Sequence, residues 1–122
     1  MDIPIDFVIR SGDSDTAAQL RDYAAYRLSF ALRRFEDRVR RVTVRLTDTN
    51  GPKGGVDSRC AITLHRLDGR RIVTEATTAW PFASVTSAAK RLNTAVRREI
   101  ERTGVSARRR GRRSRADSRT PA

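Results

Sequence analysis

The chain has 122 residues, which is enough for one domain with a core and too few for two. It carries 24 arginines against 2 lysines, 14 acidic residues and a formal net charge of +12, while a 38% apolar content still allows a core to form. No apolar run approaches the roughly 18–20 residues that span a bilayer, and Met1-Asp2-Ile3-Pro4 shows no leader pattern, so the expected setting is the cytoplasm and the expected partner a polyanion.

Over residues 3–10, Ile3, Ile5 and Phe7 alternate with Pro4 and Asp6, and Val8 and Ile9 extend the apolar character of a short strand. Ser11-Gly12-Asp13-Ser14-Asp15 is a turn cluster in which Ser14 or Asp15 is expected to cap a helix. Over residues 16–36, Leu20, Ala24, Leu28, Ala31, Leu32 and Phe35 recur at three- and four-residue steps and share one helical stripe. Arg33 and Arg34 fall in its last turns, where cations complement the helix dipole. Residues 39–49 set Val42, Val44 and Leu46 against Arg41, Thr43, Arg45 and Thr47. After Gly51-Pro52-Lys53-Gly54-Gly55, residues 56–67 set Cys60, Ile62 and Leu64 against Arg59, Ala61, Thr63 and His65. That glycine stretch lacks the spacing of a phosphate loop and no helix follows it, so it reads as a flexible connection. Asp68-Gly69 predicts a two-residue hairpin turn into a returning strand over residues 70–79. Pro81 is placed to open a second helix, with Val85, Ala88, Ala89, Leu92, Val96 and Ile100 as its stripe and Gly104 as its stop.

The order β-α-β-β-β-α, with one apolar face per element, predicts an α+β two-layer sandwich: a four-stranded sheet with two helices packed on one face. The first helix is a crossover, so strands one and two are expected to be parallel, followed by an antiparallel meander. Residues 1–103 carry 19 basic and 13 acidic residues, a net of +6. Residues 104–122 carry seven arginines and one aspartate, a further +6, and are expected to form a disordered arginine-rich tail.

Chemistry-bearing residues are few. Cys60 and His65 are the single cysteine and histidine; they allow no intrachain disulfide and no metal set, and no cofactor is expected. Five residues apart on a strand, they fall on opposite faces and cannot act as a nucleophile and its base. The chain therefore reads as a non-enzyme with no small-molecule substrate. On the second helix, Arg91, Arg98 and Arg102 form one basic row with little acid in it, and Lys90 and Arg97 form another. Such rows either contact nucleic-acid phosphates or are a solvated face. On the first helix, Tyr23, Tyr26 and Phe30 cluster opposite the core stripe with Arg33 nearby. They offer a stacking surface for bases, a protein or dimer contact, or a seat for the tail.

Leu20-Arg21-Asp22-Tyr23 through Leu28, then Phe35-Glu36-Asp37-Arg38-Val39, and Pro81-Phe82-Ala83-Ser84-Val85 through Lys90-Arg91-Leu92 resemble, in order and spacing, the ribosome hibernation-promoting factor family, which includes the ribosome-associated translation inhibitors once called sigma-54 modulation proteins. The resemblance covers about residues 3–103. It implies a bacterial, cytoplasmic stress-response factor whose β-α-β-β-β-α domain (residues 1–103) binds the small ribosomal subunit. The domain would occupy the decoding channel at the A and P sites and inhibit translation or stabilise idle ribosomes. Position by position, it implies rRNA contacts from Lys90, Arg91, Arg97 and Arg98 on the second helix and from Arg27 and Arg33 on the first, with Arg102 continuing the basic row. Tyr26, Phe30 and Thr94 stand where the family commonly has basic residues. Long family members add a C-terminal dimerisation domain; here the arginine tail takes its place, so a monomer or weak dimer is expected. The implied partners are rRNA and ribosomal proteins of the small subunit, without a membrane. The alternative is a general RNA- or DNA-binding module driven by the tail.

Overall fold

A computed structural model of the chain describes residues 3–10, 13–50 and 56–118. The elements run β1 (Ile5–Arg10), α1 (Ser14–Leu32), a 3-10 segment (Arg33–Arg38), β2 (Val39–Asn50), β3 (Val56–Arg66), β4 (Arg71–Thr78) and α2 (Pro81–Ser118). The sheet order is β1-β2-β3-β4; β1 pairs parallel with β2, and the other pairings are antiparallel. This is the expected α+β sandwich with a crossover helix.

Strand alternation builds the core as three rows across the sheet. Ile5–Val42–Leu64–Ile72, Phe7–Val44–Ile62–Thr74 and Ile9–Leu46–Cys60–Ala76 are in register, and the β2 and β3 members are fully buried. The two helical stripes lie on these rows: Leu20, Ala24, Leu28, Ala31 and Leu32 of α1, with Val85, Ala88, Ala89, Leu92 and Val96 of α2, join one buried cluster. The opposite face keeps its polar residues in solvent, as an antiparallel sheet with one covered face does.

Four local readings are corrected. The α1 cap is Asp13, one residue before the expected positions; its carboxylate accepts from Thr16 N at 2.8 Å, and that bond holds its pKa below the ordinary carboxylate value. Leu32 ends α1, and a tighter 3-10 segment continues to Arg38, burying Phe35. The β3–β4 turn has three residues, not two. Gly69 N donates to Arg66 O at 3.1 Å, Arg66 N donates to Arg70 O at 2.8 Å, and Gly69 sits at φ 88. That is a turn followed by one left-handed residue, which glycine adopts freely. Lastly, α2 passes through Gly104 as helix and reaches Ser118. An interior glycine costs a helix about 1 kcal/mol, and no proline follows until Pro121, so the signal is too weak to stop a long helix rich in arginine and alanine. The Gly51–Gly55 connection lies outside the described residues.

Candidate nucleic-acid interface

α1 and α2 lie side by side on the sheet, and their seam is closed by polar as well as apolar contacts. Tyr23 packs edge-on against Phe82 with 5.4 Å between centroids, and its hydroxyl shares a 2.7 Å hydrogen bond with Thr86 Oγ1. Asn93 Nδ2 donates to Ala31 O at 2.8 Å, tying the last turn of α1 to α2. Tyr23 is thus a seam residue and does not share the exposed patch assigned to it from sequence.

Outside this seam a groove opens between the helices. One hollow of about 450 Å³ is lined by Arg27, Phe30, Lys90, Asn93 and Thr94. A second, of about 290 Å³, shares Phe30 and Asn93 and adds Arg33, Arg34 and Arg97. Five cationic side chains, Arg27 from α1, Arg33 and Arg34 from the 3-10 segment and Lys90 and Arg97 from α2, therefore converge on one channel, and among the described residues no acidic one lines it. Phe30 lines both hollows and gives the channel an aromatic wall. Tyr26 and Phe30 meet edge-on at 5.0 Å and are 57% and 52% exposed, and the Arg33 guanidinium lies 5.2 Å from the Phe30 ring centre. Arg27 is half-buried, and its Nε is screened from solvent without a hydrogen-bond partner among the described residues. Guanidinium and ammonium donors beside an open aromatic face can hold a phosphate chain and stack one of its bases.

The other basic row is less free than expected. Arg91 donates through Nη1 to the backbone oxygen of Glu75, covering part of the open edge of β4. Arg102 pairs with Glu99, which also lies 3.6 Å from Arg66 and 3.5 Å from Arg70. The row expected to carry little acid is therefore anchored at Arg102 by the carboxylate of Glu99. Arg98 stays exposed and lines a shallow hollow with Lys90 and Arg91.

Sequence reasoning missed Arg34 and Asn93, which complete the groove, and Trp80. Trp80 is 62% exposed and stacks at 5.2 Å on Phe82, extending the Tyr23 contact to the start of α2. The counterpart of Asn93 is a carbonyl on another helix, so no pattern in one segment reveals it.

Cys60 is buried on the inner face of β3 and His65 lies on the outer face, so the two do not meet. Burial alone pushes the Cys60 thiol up to about 12. Among the described residues no cluster of three or more metal-ligating side chains occurs, and no helix is long and apolar enough to cross a membrane.

The family described as sigma 54 modulation protein / S30EA ribosomal protein matches residues 7–103. Among solved structures, the chain is similar to the N-terminal domain of Protein Y from Thermus thermophilus, with 22% identity and a TM-score of 0.55, covering 80% of this chain and 98% of that one. At that identity the likeness establishes a shared fold. No curated protein matches.

Proposed function

The chain belongs to the sigma 54 modulation protein / S30EA ribosomal protein family of ribosome-associated factors, and from that membership we propose that its helix face binds rRNA in the decoding channel of the small subunit. Seated across the A and P sites, it excludes messenger and transfer RNA, and so inhibits translation or preserves idle ribosomes. The observation that carries this reading is the acid-free channel between α1 and α2, lined by Arg27, Arg33, Arg34, Lys90 and Arg97 with Phe30 as its wall. Phosphate contacts fix the position of a protein on a nucleic acid without base readout, which suits a channel recognised by shape. Arg98 extends the contact surface, whereas Arg91 and Arg102 act mainly within the fold. Residues 1–103 are the ribosome-binding domain, and residues 104–122 add general attraction to RNA. The protein works as a non-enzymatic monomer or weak dimer in the cytoplasm.

Arg33, Lys90 and Arg97 are all exposed, so Arg33→Glu, Lys90→Glu and Arg97→Glu together reverse the channel charge without disturbing the core. In sucrose gradients the parent protein is expected to co-sediment with small subunits, saturating near one copy and yielding to initiator transfer RNA. The triple variant is expected to be lost from that peak. Undiminished co-sedimentation of the variant at the same salt overturns the assignment of the channel.

A further inference from the structure

The sheet face turned away from the helices carries a second basic cleft. Pairing of β2 with β3 is irregular at its start: Val39 faces Arg66 and Arg41 faces His65, leaving Arg40 as an extra residue. Such a bulge re-aims side chains at the end of a strand. Arg40 and Arg41 both line a cleft of about 420 Å³, together with His65, Arg66, Gly69 and Arg71. Arg41, His65 and Arg71 are register partners across β2, β3 and β4, so they form a row roughly 10 Å long at the usual strand spacing. Three carboxylates touch this group: Asp6 lies 3.8 Å from Arg41, and Asp68 and Glu99 lie 3.0 Å and 3.6 Å from Arg66. Arg40 and Arg71 have no acidic partner among the described residues.

Like charges gathered on an exposed face repel until an anion joins them, and guanidinium forks match phosphate oxygens in pairs. The extent of the charge selects a polymer over a single phosphate. Arg41 and Arg45 fall on the same face of β2, about 13–14 Å apart, with the hydroxyl-bearing Thr43 between them. Arg10 continues the same face on β1.

We propose that this cleft is a second RNA-backbone site, so that the domain is held between one RNA segment on its helix face and another on its open sheet face. The two-sided grip rests on the RNA-binding reading of the helix channel; the sheet site itself does not.

The test is an amide-resolved NMR titration of the full-length protein with a uridine hexamer, with pyrophosphate and with a glutamate hexamer. The uridine hexamer is expected to shift the amides of Arg40, Arg41, His65 and Arg71 saturably. In the Arg40→Glu/Arg71→Glu variant those shifts vanish, while shifts at Lys90 and Asn93 persist and report an intact fold. The salt slope of binding falls by about 1.4, from two lost contacts at about 0.7 each on a single strand. Arg71→Gln alone is expected to give the same loss in part. Silence of the sheet amides toward the uridine hexamer overturns the proposal, as do equal shifts in the double variant, a response to pyrophosphate alone, or a response to the glutamate hexamer as strong as that to RNA. Movement of the sheet amides with a silent helix channel sustains this site and removes the helix-face reading instead.

Discussion

Cys60 illustrates how a residue with reactive chemistry is put out of use by its place. It stands on the helix-covered face of the sheet, in register with Leu46 and Ala76, and is wholly screened from solvent. Burial raises its thiol from the ordinary 9.0 to about 12, so the thiolate that would react is absent near neutral pH. The native protein is therefore expected to resist iodoacetamide at pH 8 and to be labelled promptly once unfolded in urea. The same shift makes stability depend on alkali. The unfolded chain releases the thiol proton above about pH 9 while the folded chain keeps it, so stability is intact below that pH and falls as pH rises toward 12. Cys60→Ala should lower stability at neutral pH yet flatten that alkaline decline in urea titrations. A decline as steep as that of the parent would mean that other groups govern it.

Among the elements, the strands were the most legible from sequence. Each has one buried face, and a slip of one residue would turn Val42, Val44 and Leu46 into solvent, so the pattern leaves a single register. Helix ends and turns were less legible because they depend on small local differences. Asp68-Gly69 fits a two-residue turn as well as the three-residue turn that forms, and only the Arg66–Arg70 pairing separates them. Gly69→Ala is expected to destabilise the protein by about 1–2 kcal/mol, the cost of a side chain in the left-handed region, because no close contact hinders the added carbon. Urea unfolding measures this, and a loss near zero would mean that the turn relaxes to another form. Tyr23 was misplaced for a different reason. A helical wheel recognises the stripe that faces the sheet, but α1 has a second neighbour in α2, and Tyr23 belongs to that contact. The channel was legible in part: helical spacing put Lys90 and Arg97 in one basic row, while Arg27 and Arg33 came as rRNA contacts only from the family resemblance. Its acid-free lining was not legible, because it arises only when two helices 60 residues apart in sequence align.

At the scale of the whole molecule, the +12 charge divides equally between residues 1–103 and residues 104–122. Charges on a rigid domain are fixed relative to one another and can match a particular arrangement of phosphates. A run such as Arg108-Arg109-Arg110-Gly111-Arg112-Arg113-Ser114-Arg115 adds attraction that any polyanion satisfies. Replacing its arginines 108, 109, 110, 112, 113 and 115 by glutamine removes that general term and leaves residues 1–103 unchanged. If all six contact single-stranded RNA, the slope of log K against log salt should fall by about 4. Saturation near one copy per small subunit should survive, because the channel between α1 and α2 is intact. The Arg33, Lys90 and Arg97 variant should show the reverse, with salt-sensitive attraction to RNA retained and the saturable site gone. Measured side by side over one salt series, the two variants separate a shaped interface from a polycation. Loss of the saturable site in the glutamine variant would assign recognition to the arginine run and leave the helix channel as a solvated face.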